Sequence, residues 1–98
     1  SAGCNFCRIV EGCAPAAIVN RTNGFVAIND INPQADVHLL VLPERHIDTF
    51  RDIGQFPADE AKRMLDFVAE TAAAAGQTVF HLHWHILGGR IQALPGWA

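Results

Sequence analysis

From His81 to Leu87 the chain reads HLHWHIL, with histidine at every second position and large apolar residues between and after. Successive side chains of a β-strand point to opposite faces. As a strand, this stretch places His81, His83 and His85 on one face and Leu82, Trp84 and Ile86 on the other. Three imidazoles in a column can hold a metal, attack and shuttle protons, or serve as polar edges over a core. The last use is the weakest of the three, because neighbouring imidazoles repel when protonated and compete for hydrogen-bond partners. The alternation therefore suits a strand and points to chemistry on one side of it.

The rest of the chain narrows the setting. Its 98 residues suit one domain, 1–98, and half of them are hydrophobic, which is the composition of a globular protein. The net charge is -3 with no basic run, which argues against a groove that binds nucleic acid by neutralising phosphates. No apolar run approaches a membrane span and no charged-then-apolar signal pattern opens the sequence, so a cytoplasmic protein without membrane partners is expected. Cys4, Cys7 and Cys13 are an odd, clustered set and a poor disulfide framework. Cys4 and Cys7 make a C-x-x-C pair whose spacing suits metal binding or redox exchange, and no thioredoxin-like strand precedes it. Two small buried residues in an N-terminal turn are the plain alternative.

Local patterns give an order of elements. FCRIVEG (6–12) reads as a short helical turn ending at Gly12. AAIVN (16–20) and FVAIND (25–30) read as strands joined by RTNG, whose Asn-Gly pair suits positive φ. INPQAD is a loop, and VHLLVLP (37–43) is a buried strand stopped by Pro43. A long helix starts near Pro57, which suits the first helical position, with Asp59 and Glu60 in the first turn. Ala61, Met64, Leu65, Val68, Ala69 and Ala72 recur on it at helical spacing, and Gly76 ends it. The histidine strand, 78–87, follows. This is an α+β fold: an antiparallel sheet with one long helix and a short N-terminal helix.

The sequence His81-Leu82-His83-Trp84-His85-Ile86-Leu87 resembles, at every position, the signature of the histidine triad (HIT) family of nucleotide hydrolases and transferases. Its flanks, AGQTVF and GGR, are similar to the histidine triad nucleotide-binding branch. So is the upstream NDINPQADVHLLVLPERHI, with its Asp, its strand and its Pro-x-x-His-Ile corner. The resemblance implies a nucleoside phosphoramidase or purine nucleotide hydrolase acting at the α-phosphorus. His83 would be the nucleophile, His85 would bind phosphate oxygens and pass a proton to the leaving group, and His38 would orient His83. It further implies that Thr78 and the backbone of Gly76 and Gln77 meet the phosphate, and that Asp30 takes the ribose hydroxyls. Phe6, Ile9, Ile28 and Ile31 correspond to positions that enclose the purine. Read from the residues alone, Asp30 is an ordinary turn-capping residue and the four apolar positions are core.

The same resemblance assigns the first triad histidine elsewhere. Many bacterial members bind zinc through C-x-x-C, the Pro-x-x-His corner and that histidine, here Cys4, Cys7, His46 and His81. Two thiolates and two imidazoles complete a closed structural zinc site. A two-fold homodimer is also implied, built on the long helix and its adjacent strand, and Trp97 in the Pro-Gly-Trp tail has little core of its own to enter. One departure stands out. Family members carry a strand and turn between the long helix and the Gly-Gln pair, contributing an Asn to the nucleotide site. VAETAAAAGQTVF leaves no room for it. Two further readings stay open: a nucleotide-binding interaction protein with little turnover, and a small zinc-binding structural module.

Overall fold

The computed structural model describes residues 3–76 and Leu82. The elements are α1 (Asn5–Val10), β1 (Ile18–Thr22), β2 (Phe25–Asn29), β3 (Leu39–Pro43), a 3₁₀ turn over Phe50–Gln55, and α2 (Ala58–Ala75). Among the described residues the strands form one antiparallel sheet in the order β1-β2-β3. Helices around an antiparallel sheet make the α+β fold that the sequence implies. Of the histidine strand only Leu82 is described. It lies outside any strand and is 81% exposed. The remainder of 78–87, and Trp97, fall outside the described residues.

Strand β2 organises the core because both of its faces are covered. Phe25, Val26, Ala27 and Ile28 are all buried, which explains why the strand reads as a continuous apolar run. Val26 and Ile28 point to one face, where they meet Ile9 of α1 and Leu42 of β3. Phe25 and Ala27 point to the other, against Phe67 of α2, with Val41 and Met64 alongside. The Phe25 and Phe67 rings lie 6.0 Å apart at 29°, a stacking distance that adds to their burial. Thus α1 and α2 sit on opposite faces of the sheet.

The connections follow from turn chemistry. In the β1–β2 hairpin Thr22 faces Phe25, so Asn23 and Gly24 form the tip. Only Gly24 takes positive φ, at 105°; Asn23 does not. The register slips between Ile18 and Asn20, leaving Val19 as an extra residue on β1. Strand β1 starts two residues later than AAIVN suggests and runs on through Arg21 and Thr22, which the RTNG reading placed in the turn. Ile18 and Val19 are about half exposed. Gly12, at φ 82°, closes α1 by donating to the Ile9 carbonyl, while Cys13 donates to Arg8 at 2.7 Å.

Helix α2 corrects the sequence reading in two ways. Pro57 has extended ψ and stands just before the helix as its N-cap, so Ala58 takes the first helical position. The buried residues of the helix are Phe67 and Thr71, with Met64 packed beside Phe67, while Leu65, Ala69 and Ala72 face solvent. The inward face is rotated toward Phe67 because that ring has Phe25 to stack on. The 3₁₀ turn was not expected; Thr49 starts it by accepting the Arg51 N–H at 3.2 Å. A groove of about 210 Å³ remains between β3 and α2, lined by Val37, Leu39, Val41, Val68, Thr71, Ala72 and Ala75. The buried Thr71 hydroxyl finds no hydrogen-bond partner among the described residues. No described helix is long and apolar enough to cross a membrane.

Candidate functional site

Three consecutive residues after β3 are each fastened to a different element. Glu44 Oε1 accepts the Gly24 N–H at 2.6 Å, and its Oε2 meets Arg21, which also donates to the Val10 carbonyl at 3.0 Å. Glu44 so ties the corner to the hairpin tip and to the end of α1. Arg45 makes a two-pronged pair with Glu60 of α2, at 2.9 and 3.2 Å, and lies 5.7 Å over the Phe56 ring. A planar guanidinium suits both contacts at once. His46 then extends from a corner held on both sides.

That corner brings His46 to the C-x-x-C pair. Cys4 is the N-cap of α1, and its sulfur accepts the Cys7 N–H at 3.3 Å. The Cys7 sulfur lies 3.1 Å from Nδ1 of His46, and Nε2 of His46 lies 2.7 Å from Asp48 Oδ1. Donor atoms of Cys4, Cys7 and His46 fall within 4.8 Å of one another. Tetrahedral zinc with bonds of about 2.0–2.3 Å spans donor–donor edges of roughly 3.5–3.8 Å, so these three fit one ion after small adjustments. The electrostatics match. The Cys7 backbone N–H, then the Cys7 thiol and His46, hold the Cys4 thiol down from 9.0 to about 7. Asp48 first, and Cys4 second, raise the pKa of His46. Helix end, thiol pair and imidazole thus favour a thiolate where a metal would want one. His81, the fourth residue of the expected set, lies outside the described residues.

The nucleotide residues divide differently. At the other end of β3, Asp30 and His38 are joined twice: the Asp30 N–H donates to the His38 carbonyl at 2.9 Å, and Oδ2 of Asp30 is 3.4 Å from Nε2 of His38. Nδ1 of His38 accepts the Gln34 N–H at 3.1 Å. A ring that accepts at Nδ1 carries its proton on Nε2. That N–H faces Asp30. Asp30 also accepts the Asn32 N–H at 2.8 Å, the turn-capping role open to it from sequence alone. Ile9 and Ile28 are buried together in the α1-side core, whereas Phe6 and Ile31 are 46% and 90% exposed. Gly76 is the C-cap of α2 at φ 87°, donating to the Ala73 carbonyl. Helix α2 therefore runs directly into the Gly-Gln pair. Gln77, Thr78, His83 and His85 lie outside the described residues. The link missed from sequence was Asp48. Its signal was present as His-x-Asp, a carboxylate two residues beyond a proposed metal ligand.

Comparison with known proteins identifies the family. The family profile described as the scavenger mRNA decapping enzyme C-terminal binding domain matches residues 3–74, and the HIT domain profile matches residues 58–92. A HIT-like protein of Chlamydia pneumoniae is 36% identical over 104 residues, covering 87% of this chain and 92% of its own. The crystal structure of a HIT family hydrolase from Legionella pneumophila is similar at TM-score 0.69 and 33% identity, covering 95% of this chain and 98% of that one. A zinc-bound histidine triad family protein from Mycobacterium smegmatis is similar at TM-score 0.65 and 32% identity, covering 76% of this chain and 51% of that one. On sequence, fold and motif together, the chain belongs to the HIT family.

Proposed function

We propose that this chain is a nucleotide hydrolase of the phosphoramidase type with a structural zinc ion. The observation that carries the reading is the His81, His83, His85 alternation in a member of the HIT family. In the proposed reaction a ring nitrogen of His83 attacks the α-phosphorus of a purine nucleoside phosphoramidate. The bond from phosphorus to the leaving amine breaks, and the amine takes a proton from His85. Water then attacks the phosphorus and gives a proton back to His85, the bond to His83 breaks, and nucleoside monophosphate leaves. A covalent intermediate divides one difficult displacement into two easier ones. Near neutral pH an imidazole with an ordinary pKa of about 6.5 is largely unprotonated and able to attack.

Asp30 and His38 serve the same end of the site. Asp30 has an oxygen available to ribose hydroxyls once its contact with His38, already long at 3.4 Å, is exchanged. The Nε2–H of His38 is the atom through which it would then orient His83. Phe6 and Ile31 are both exposed, Ile31 next in sequence to Asp30, and they would be the surfaces offered to a purine. The structural ion would be held by Cys4, Cys7, His46 and His81, where it would tie the N-terminal helix to the corner after β3.

Incubation with an adenosine phosphoramidate, followed by rapid quench and mass analysis, should reveal a nucleotide adduct on the peptide that contains His83. His83→Ala should abolish turnover, by at least about 10³-fold, and still bind adenosine monophosphate. His85→Ala should be less severe. A folded His83→Ala protein that hydrolyses the substrate near the wild-type rate would sink the reading. A chain that binds nucleotide and forms no adduct would be the interaction protein instead.

A further inference from the structure

We infer that Asp48 is a positioning residue for the metal centre, holding His46 so that Nδ1 and no other ring atom is its ligand atom. The inference rests on the zinc reading above and goes beyond it, since that reading names ligands but neither the ligating nitrogen nor a group behind it.

The argument is one of hydrogen-bond capacity. A neutral imidazole has one N–H and one lone pair. In this structure Nε2 lies 2.7 Å from a carboxylate oxygen, which can only accept, so the proton belongs on Nε2. The lone pair is then on Nδ1, the atom that faces the Cys7 sulfur at 3.1 Å. One ring orientation satisfies both neighbours. A flipped ring would place carbon atoms against the sulfur and the carboxylate. A carboxylate behind a ligating histidine fixes the ring and strengthens its lone pair, and loss of such a partner weakens metal binding by about 10- to 100-fold. Asp48 is 80% exposed, and solvent screening of so open a carboxylate places the expected effect at the lower end of that range. Its backbone is steadied by the next residue, because Thr49 caps the 3₁₀ turn. Among the described residues Asp48 is the one carboxylate bonded to His46.

The test uses the full chain and its Asp48→Ala variant. Zn²⁺ affinity is measured by competition with a chromophoric chelator, and the His46 ring nitrogens are read by ¹⁵N NMR in the zinc-loaded protein. The expected results are about tenfold weaker Zn²⁺ binding in Asp48→Ala, unchanged thermal unfolding of the two metal-free proteins, and a wild-type spectrum with metal on Nδ1 and the proton on Nε2. Asp48→Glu, which keeps a carboxylate on a longer arm, should recover part of the affinity. Equal Zn²⁺ affinity in wild type and Asp48→Ala overturns the inference while leaving the zinc site intact, and so does metal on Nε2. A wild-type chain that binds no Zn²⁺ overturns both.

Discussion

Cys4 and Thr71 show how one side chain can be held in a state its type does not usually prefer. The Cys7 N–H that points at the Cys4 sulfur, with the Cys7 thiol and His46 beside it, holds this thiol at about 7, against 9.0 for a thiol without such neighbours. A lowered folded value means that the fold favours the thiolate. In the metal-free protein that contribution to stability is complete above about pH 9 and is lost as the pH falls through about 7. Alkylation of Cys4 by iodoacetamide should therefore rise with a midpoint near pH 7 in the folded chain and near 9 in urea, as followed by peptide mass. A folded midpoint near 9 would count against this set of neighbours acting on the thiol. Thr71 is the opposite case, a polar atom in apolar company. Its hydroxyl is buried without a partner among the described residues, and an unmade hydrogen bond costs roughly 1–3 kcal/mol. Thr71→Val keeps the shape and removes the hydroxyl. It should raise stability by about 1 kcal/mol in a denaturant titration, and a loss of stability would show that the hydroxyl is in use.

Among the elements, β2 and α2 depend on each other. Phe67 is 3% exposed and stacks on Phe25, so Phe67→Ala should lower unfolding free energy by about 3–5 kcal/mol. Leu65→Ala, on the half-exposed side of the same helix, should cost the isolated chain far less. Denaturant unfolding of both variants decides this, and equal losses would contradict the orientation of α2. The three described strands, the hairpin tip and the end of α2 at Gly76 could be read from apolar runs and glycines, because those signals are local. The rotation of α2 could not. Periodicity identifies a stripe, but a broad stripe containing Leu65, Val68, Ala69 and Ala72 does not say which edge faces inward. That was decided by Phe25, which is 42 positions away in sequence and in contact in space. The 3₁₀ turn was missed for a related reason: Thr49 and Asp52 give a capping signal no stronger than that of an ordinary loop.

At the scale of the whole molecule, Leu65, Ala69 and Ala72 form an apolar strip on α2 that the described chain leaves uncovered. Two chains should associate there about a two-fold axis, each strip meeting its own copy. Sedimentation at micromolar concentration should show a dimer, and Leu65→Glu should shift it toward monomer; a wild-type monomer would remove the claim. The candidate site was legible from sequence to the extent that its chemistry is carried by residue type. Cys4 and Cys7 could be named from their spacing, and His46 only from the family resemblance. That Asp30 and His38 share a contact, and that Asp48 stands behind His46, could not, since both depend on how the backbone at either end of β3 turns. The meeting of Cys7 and His46, 39 positions apart, has a further consequence. All three described strands lie on the stretch of chain between them, so an ion held by both would close that stretch into a ring. A ring has fewer unfolded shapes than an open thread, and the difference grows only slowly with its length. The sheet would then unfold as a closed circuit while the ion stayed bound. Releasing the ion before unfolding would free the N-terminal arm and the sheet to come apart in separate steps.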